Sequence, residues 1–260
     1  MEILTVKKYK NLDTPFKLTL ITTTVERALN PDYYNEKIQK IKAEKKIEYW
    51  EQPFLDIITD QEEKAENNIT RAKTNIKEIA SCNDWEYFVT LTIDGQKKER
   101  VDLEVVKKQL CKFFNNYKER HNPNFKYLII FEEHKKGGYH AHGFFIGLQL
   151  SELTLYNKKE KKYNWDFYTK LYGYNSIIQI TGGLDKISSY IVKYISKCFD
   201  SNSNKGQRCY ICSQRLARAI KIKDISYDDY QRLINLLKTD EKTFSSDYCK
   251  TLWIKDLKIV

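Results

Sequence analysis

Three apolar runs and one glycine pair constrain the fold more than any other feature of this chain. "EYFVTLTI" (Glu86 to Ile93), "KYLIIFEEH" (Lys126 to His134) and "YHAHGFFIGL" (Tyr139 to Leu148) are strand-length segments rich in β-branched and aromatic residues. Gly137-Gly138 separates the second from the third and marks a hairpin turn. Between the first and second runs, Leu103, Val106, Leu110, Phe113 and Tyr117 recur at three- and four-residue steps, the stripe of an amphipathic helix that Pro123 ends. Strand, helix and antiparallel hairpin exclude an all-parallel sheet. The expected fold is α+β: a ferredoxin-like or split βαβ antiparallel sheet of about five strands, with helices on one face.

The same reading extends along the chain. "NWDFYTKLYG" (Asn164 to Gly173) is expected as a helix and "YNSIIQIT" (Tyr174 to Thr181) as a fourth strand. "LDKISSYIVKYISK" (Leu184 to Lys197) follows as a helix, and "QRCYICSQRL" (Gln207 to Leu216) as a fifth strand. A last helix capped at Ser226 aligns Tyr230, Leu233, Ile234 and Leu237. "KLTLITTTVER" (Lys17 to Arg27) has strand character, but the charged stretch beyond it favours helix. The expected organisation is a mostly helical extension over 1–80, a core domain over 81–216, and a helical tail over 217–260 packing on the core.

Charge bears on partners. Lys and Arg outnumber Asp and Glu 45 to 35, for a net charge of +10 and a pI near 9.1, which suits a polyanion. The run "NKKEKKY" (Asn157 to Tyr163) is by itself a solvated loop. No apolar stretch approaches the roughly 20 residues of a membrane span, so no membrane partner and a cytoplasmic location are expected. The six cysteines are expected to stay reduced. Cys209 and Cys212 have ligand spacing, but a zinc ribbon needs a second such pair, and none exists.

Three of the four histidines, with two glutamates, fall within "FEEHKKGGYHAHGFF". Alternation along a strand projects His140 and His142 from one face, with Ala141 on the other. Glu132 and His134 share a face of the preceding strand, opposite Glu133; the hairpin register decides which set joins the histidines. Two imidazoles and a carboxylate are a donor set that leaves positions open on a divalent cation. In "YIVKYISK", Tyr190 and Tyr194 are one helical turn apart, about 6 Å along the axis, with Lys193 and Lys197 beside them. A cation next to a phenol favours the phenolate, the nucleophilic form.

"FVTLTI", "EEHKKGGYHAHG" and "YIVKYISK", in this order, resemble the three motifs of the HUH endonuclease superfamily. More narrowly, they resemble the rolling-circle replication initiators of bacterial plasmids and single-stranded DNA phages. The resemblance spans roughly residues 70–216. It implies Mg or Mn held by His140 and His142, with Glu132 preferred and His134 next as third ligand. It implies a tyrosine, Tyr190 or Tyr194, that attacks the scissile phosphate to form a 5′-phosphotyrosyl link and a free 3′-hydroxyl. The implied partners are single-stranded or cruciform origin DNA, a host DNA polymerase and, since the chain has no GxxxxGK[ST] loop, a host helicase. A plasmid mobilisation relaxase or single-strand transposase would use the same site. A nonenzymatic single-strand binder, built on basic and aromatic residues, is the alternative of a different class. Thr90 and Thr92 share one face of the first strand and are expected at the DNA backbone.

Overall fold

Strand alternation and burial together decide which face each segment turns to the core. The computed structural model describes residues 2–22, 68–134, 137–181, 208–246 and 249–257. The chain divides into two compact units, one of residues 71–218 and one joining residues 1–70 to 219–260. In the first unit, helix α1 is described over 68–82. Strand β3 (Tyr87–Thr92), helix α2 (Leu103–Arg120) and the hairpin β4 (Lys126–Glu133) and β5 (Tyr139–Ile146) follow. Then come β6 (Leu153–Asn157), β7 (Lys162–Trp165), α3 (Asp166–Leu171), β8 (Asn175–Gln179) and β9 (Tyr210–Cys212). These strands make one seven-stranded sheet in the order β6-β7-β8-β3-β5-β4-β9, with every pairing antiparallel.

Helix α2 starts where Asp102 accepts hydrogen bonds from the Glu104 and Val105 N–H groups, a cap that stabilises by about 1 kcal/mol. Its apolar stripe, Val106, Leu110, Phe113, Phe114 and Tyr117, buries against Tyr87, Val89, Leu91, Ile129 and Phe145 of the sheet. Trp165 is fully buried in this layer, its ring 4.9–6.3 Å from those of Phe113, Tyr117, Phe125 and Phe145. Asn175, buried on the same side, accepts a hydrogen bond from the Trp165 N–H and donates to the Trp165 carbonyl and the Thr169 hydroxyl. We expect Asn175→Ala to leave buried partners unsatisfied and cost about 3 kcal/mol. Urea unfolding should read this as a lowered midpoint with an unchanged slope.

The second sheet face is covered too, over part of its length. Ile76, Ile79 and Ala80 of α1 pack with Trp85 on Leu128, Ile130 and Phe144. The expectation of helices on one face only is therefore corrected. Both sides of "YLIIF" are apolar, and each needs cover from water. Two more strands than expected arise around the lysine run, which is the turn of the β6–β7 hairpin and not a free loop. The helix expected over 164–173 is shortened to α3, because Asn164 and Trp165 end β7. The strand expected over 207–216 is limited to β9, and the helix expected over 184–197 lies outside the described residues.

The other unit is built from two distant parts of the chain. Strands β1 (Glu2–Lys8), β2 (Phe16–Thr22), β10 (Ile220–Ile222), β11 (Phe244–Ser246) and β12 (Cys249–Ile254) form an antiparallel sheet in the order β10-β1-β2-β12-β11. Helix α4 (Tyr227–Thr239), capped by the Ser226 hydroxyl accepting from the Asp229 N–H, packs Leu233, Ile234 and Leu237 on Val6, Leu18, Leu20 and Leu252. The segment expected as a helical tail thus contributes three strands besides its helix. The reason is pairing: β10 and β12 flank the β1–β2 hairpin, and such short strands are stable only inside a sheet.

Candidate functional site

Register brings the chemistry-bearing residues to one face. Thr90 opposes His142, and Thr92 opposes His140, across β3 and β5. On the other side of β5, Glu132 opposes His140 and Glu133 opposes Tyr139. Opposed residues in an antiparallel pair share a face, so Thr90, Thr92, His140, His142 and Glu132 project together from the side away from α2. Glu133 turns to the other side. His134 lies just past β4, its ring 4.9 Å from that of His140, and its N–H donates to the Gly138 carbonyl. Of the two sets left open by the sequence, the register selects Glu132 with His134.

The hairpin tip is shaped by its glycines. Gly137 and Gly138 hold φ of +81° and +84°, a region that side-chain-bearing residues enter only at a cost. The Arg100 side chain lies where a Cβ on Gly138 would come within 3.1 Å of it, and the Tyr139 N–H donates to the Arg100 carbonyl. Arg100 was not legible as part of the site, because thirty-odd residues of sequence separate it from the hairpin that it covers.

Each imidazole is fixed by a threonine. His142 Nδ1 and Thr90 Oγ1 are 3.2 Å apart, as are His140 Nδ1 and Thr92 Oγ1, both hydrogen-bonded. The threonines expected at the DNA backbone therefore sit behind the histidines and set their ring orientation. When Nδ1 donates its proton to the hydroxyl, Nε2 keeps its lone pair for a cation. Burial first, and then the neighbouring His134 ring, lower the His140 pKa; Glu132 opposes this and Arg100 adds a further lowering. His140 is thus held in the neutral form that can act as a ligand.

His142 Nε2 lies 3.2 Å from Glu132 Oε2, with both side chains largely withdrawn from water at 11% and 21% exposure. A carboxylate oxygen facing a ring nitrogen at this distance either accepts its proton or shares a cation with it. Among the described residues no three His, Cys, Asp or Glu side chains are grouped as a formed metal site. The fit to a divalent ion therefore rests on the donor chemistry: two neutral imidazoles oriented through Nδ1 and an adjacent carboxylate, all on one sheet face. We expect Thr90→Val and Thr92→Val each to weaken Mn binding about 10- to 100-fold, read by calorimetric titration, with little change in thermal stability.

Tyr190, Lys193, Tyr194 and Lys197 lie outside the described residues. The six cysteines supply no disulfide among the described residues, where Cys82, Cys111, Cys209, Cys212 and Cys249 are free thiols. No described helix is long and apolar enough to cross a membrane.

The fold and the cluster define an α+β protein whose larger antiparallel sheet presents a threonine-held histidine pair and a carboxylate. Residues 86–199, which span that cluster and the tyrosine segment, match the family model of the phage-type replication-associated proteins, the ORF2 family. The resemblance carried by the three motifs holds over these residues. No curated protein and no solved structure gives a significant match.

Proposed function

We propose that this chain initiates rolling-circle DNA replication by nicking and rejoining single-stranded origin DNA through a covalent tyrosyl intermediate. The observation that carries the reading is the juxtaposition of His140, His142 and Glu132 on one sheet face within a segment that matches a replication-associated family. The strand order β8-β3-β5-β4, with α2 between β3 and β4 and α3 ahead of β8, supports a ferredoxin-like reading of the central four strands.

His140 and His142, with Glu132 and then His134, are the residues to hold Mg or Mn. A divalent ion there would polarise a nonbridging phosphate oxygen and orient the phosphodiester for in-line attack. The phenolate of Tyr190 or Tyr194 attacks phosphorus, the bond from phosphorus to the 3′ oxygen breaks, and the departing oxygen takes up a proton as the 3′-hydroxyl. Lys193 and Lys197 lower the cost of the phenolate. The phosphotyrosyl bond retains the energy of the broken linkage, so a later 3′-hydroxyl can reverse the step. The free 3′-hydroxyl primes a host polymerase, and a host helicase separates the strands.

The test incubates the full chain with single-stranded oligonucleotides spanning candidate origins, in Mn or in chelator, followed by denaturing gels. We expect a slower protein band in Mn only, absent from the Tyr190→Phe, Tyr194→Phe double variant. Single-strand binding that survives His140→Ala, with no adduct under any condition, would instead identify a nonenzymatic binder.

A further inference from the structure

The sheet face that carries the histidines continues past β3 to β8, β7 and β6, away from β4. Ser176 opposes Thr90, the partner of His142, so it lies in that residue's row. One step along, the Thr92 N–H donates to the Tyr174 carbonyl, which places Tyr174 in the row of His140 and Glu132. Two strand spacings, about 10 Å, separate Tyr174 from His140.

A third strand adds to this edge. The pairing of β6 with β7 shifts register between Leu155 and Asn157, leaving Tyr156 at a bulge. A bulge re-aims the side chain that it carries. Here the Tyr156 hydroxyl donates to Ser176 Oγ at 3.0 Å and lies 3.1 Å from the Tyr174 hydroxyl. Both tyrosines remain exposed, Tyr156 at 47% and Tyr174 at 58%, although each has a ring large enough to have been buried in a core. The hairpin turn beside them carries Lys158, Lys159 and Lys161 in the open, with Glu160 paired to Lys162 at 2.5 Å. Lys161 holds φ of +48°, a conformation that Gly or Asn adopts at lower cost.

We propose that Tyr156, Tyr174 and the β6–β7 lysines form a docking track for single-stranded DNA leading to the histidine cluster. The inference rests on the nicking function and names the residues that hold the substrate for it. The tyrosine rings stack on bases, and the lysines neutralise the phosphates on either side. Charge complementarity and continuity with the histidine rows select a single-stranded polyanion as the occupant. Base stacking on an aromatic ring is tolerant of sequence, so the track supplies affinity and position, and base readout lies elsewhere.

The test is fluorescence anisotropy of a labelled oligothymidine with the full chain in chelator, where no nicking is expected. Tyr156→Ala, Tyr174→Ala should weaken binding about tenfold or more. Replacing Lys158, Lys159 and Lys161 by Gln should lower the slope of log affinity against log salt by about 2, at roughly 0.7 per phosphate contact. His140→Ala should bind like the unsubstituted chain. If both track variants bind as tightly and with the same salt slope, while the unsubstituted chain forms its adduct, the track is wrong and the nicking function stands. If the unsubstituted chain binds no single-stranded DNA, both are overturned. The lysine variant alters only exposed side chains, so its result does not depend on a fragile fold.

Discussion

Replacing His142 by Ala is expected to lower the rate of Mn-dependent adduct formation by about a thousandfold while leaving the protein folded. A divalent ion stabilises developing phosphoryl charge by several kcal/mol, and each 1.36 kcal/mol is about a decade in rate. His142 is also the residue that meets Glu132, at 3.2 Å, so its loss removes one donor and releases the other from its position. Glu132→Gln keeps the shape and removes the charge, and should fall between His142→Ala and the unsubstituted protein. Folding is spared because the threonine–imidazole contact is a single hydrogen bond at the edge of the covered core, worth about 1 kcal/mol. Raising Mn concentration separates the two contributions. Partial recovery of rate identifies weakened metal binding, and an unchanged rate at every Mn concentration in His142→Ala would sink the assignment of this residue as a ligand.

The second large effect belongs to Gly143. A Cβ built on this residue would sit 1.9 Å from the Leu128 carbonyl oxygen and 2.9 Å from the Ile129 Cα, both backbone atoms of the paired strand. No side-chain rotation relieves such an overlap; β4 and β5 must separate or slip. Slippage by one residue would carry Glu132 off the histidine face. We expect Gly143→Ala to cost about 3 kcal/mol or more, at or above the upper end of ordinary overpacking. Thermal unfolding reads the loss, and the same variant should lose Mn binding even at temperatures where it stays folded. Unaltered stability would mean that the two strands do not approach as described. Ala141, buried two residues before it on the same face, already fills the space that a small side chain can use.

What could be read without coordinates was local. The spacing of His140 and His142, the stripe of α2, the cap at Ser226 and the glycine turn at 137–138 all depend on neighbours within a few residues, where helical and strand periodicities operate. The site was legible as a donor list and incomplete as a geometry. Nothing near "FVTLTI" announces that its two threonines stand behind the two histidines, since that follows from a pairing across about fifty residues of chain. The lysine run read as a loop because its dense charge hides the turn of a hairpin whose flanking strands, β6 and β7, alternate only weakly.

The N-terminal and C-terminal segments show the same division. Phe16–Thr22 had strand character in its own sequence, whereas β10 and β11 are three residues each and carry no periodicity to detect. Sequence alone determined that this chain makes an antiparallel α+β fold with a histidine-bearing hairpin, because alternation and turn chemistry are short-range. Only the tertiary structure decided that Glu132 and not Glu133 faces the histidines, that α1 covers the second face of β4, and that the two ends of the chain share a sheet. Each of these is a choice of partner between distant segments, settled by which pairing buries apolar surface and satisfies backbone hydrogen bonds together.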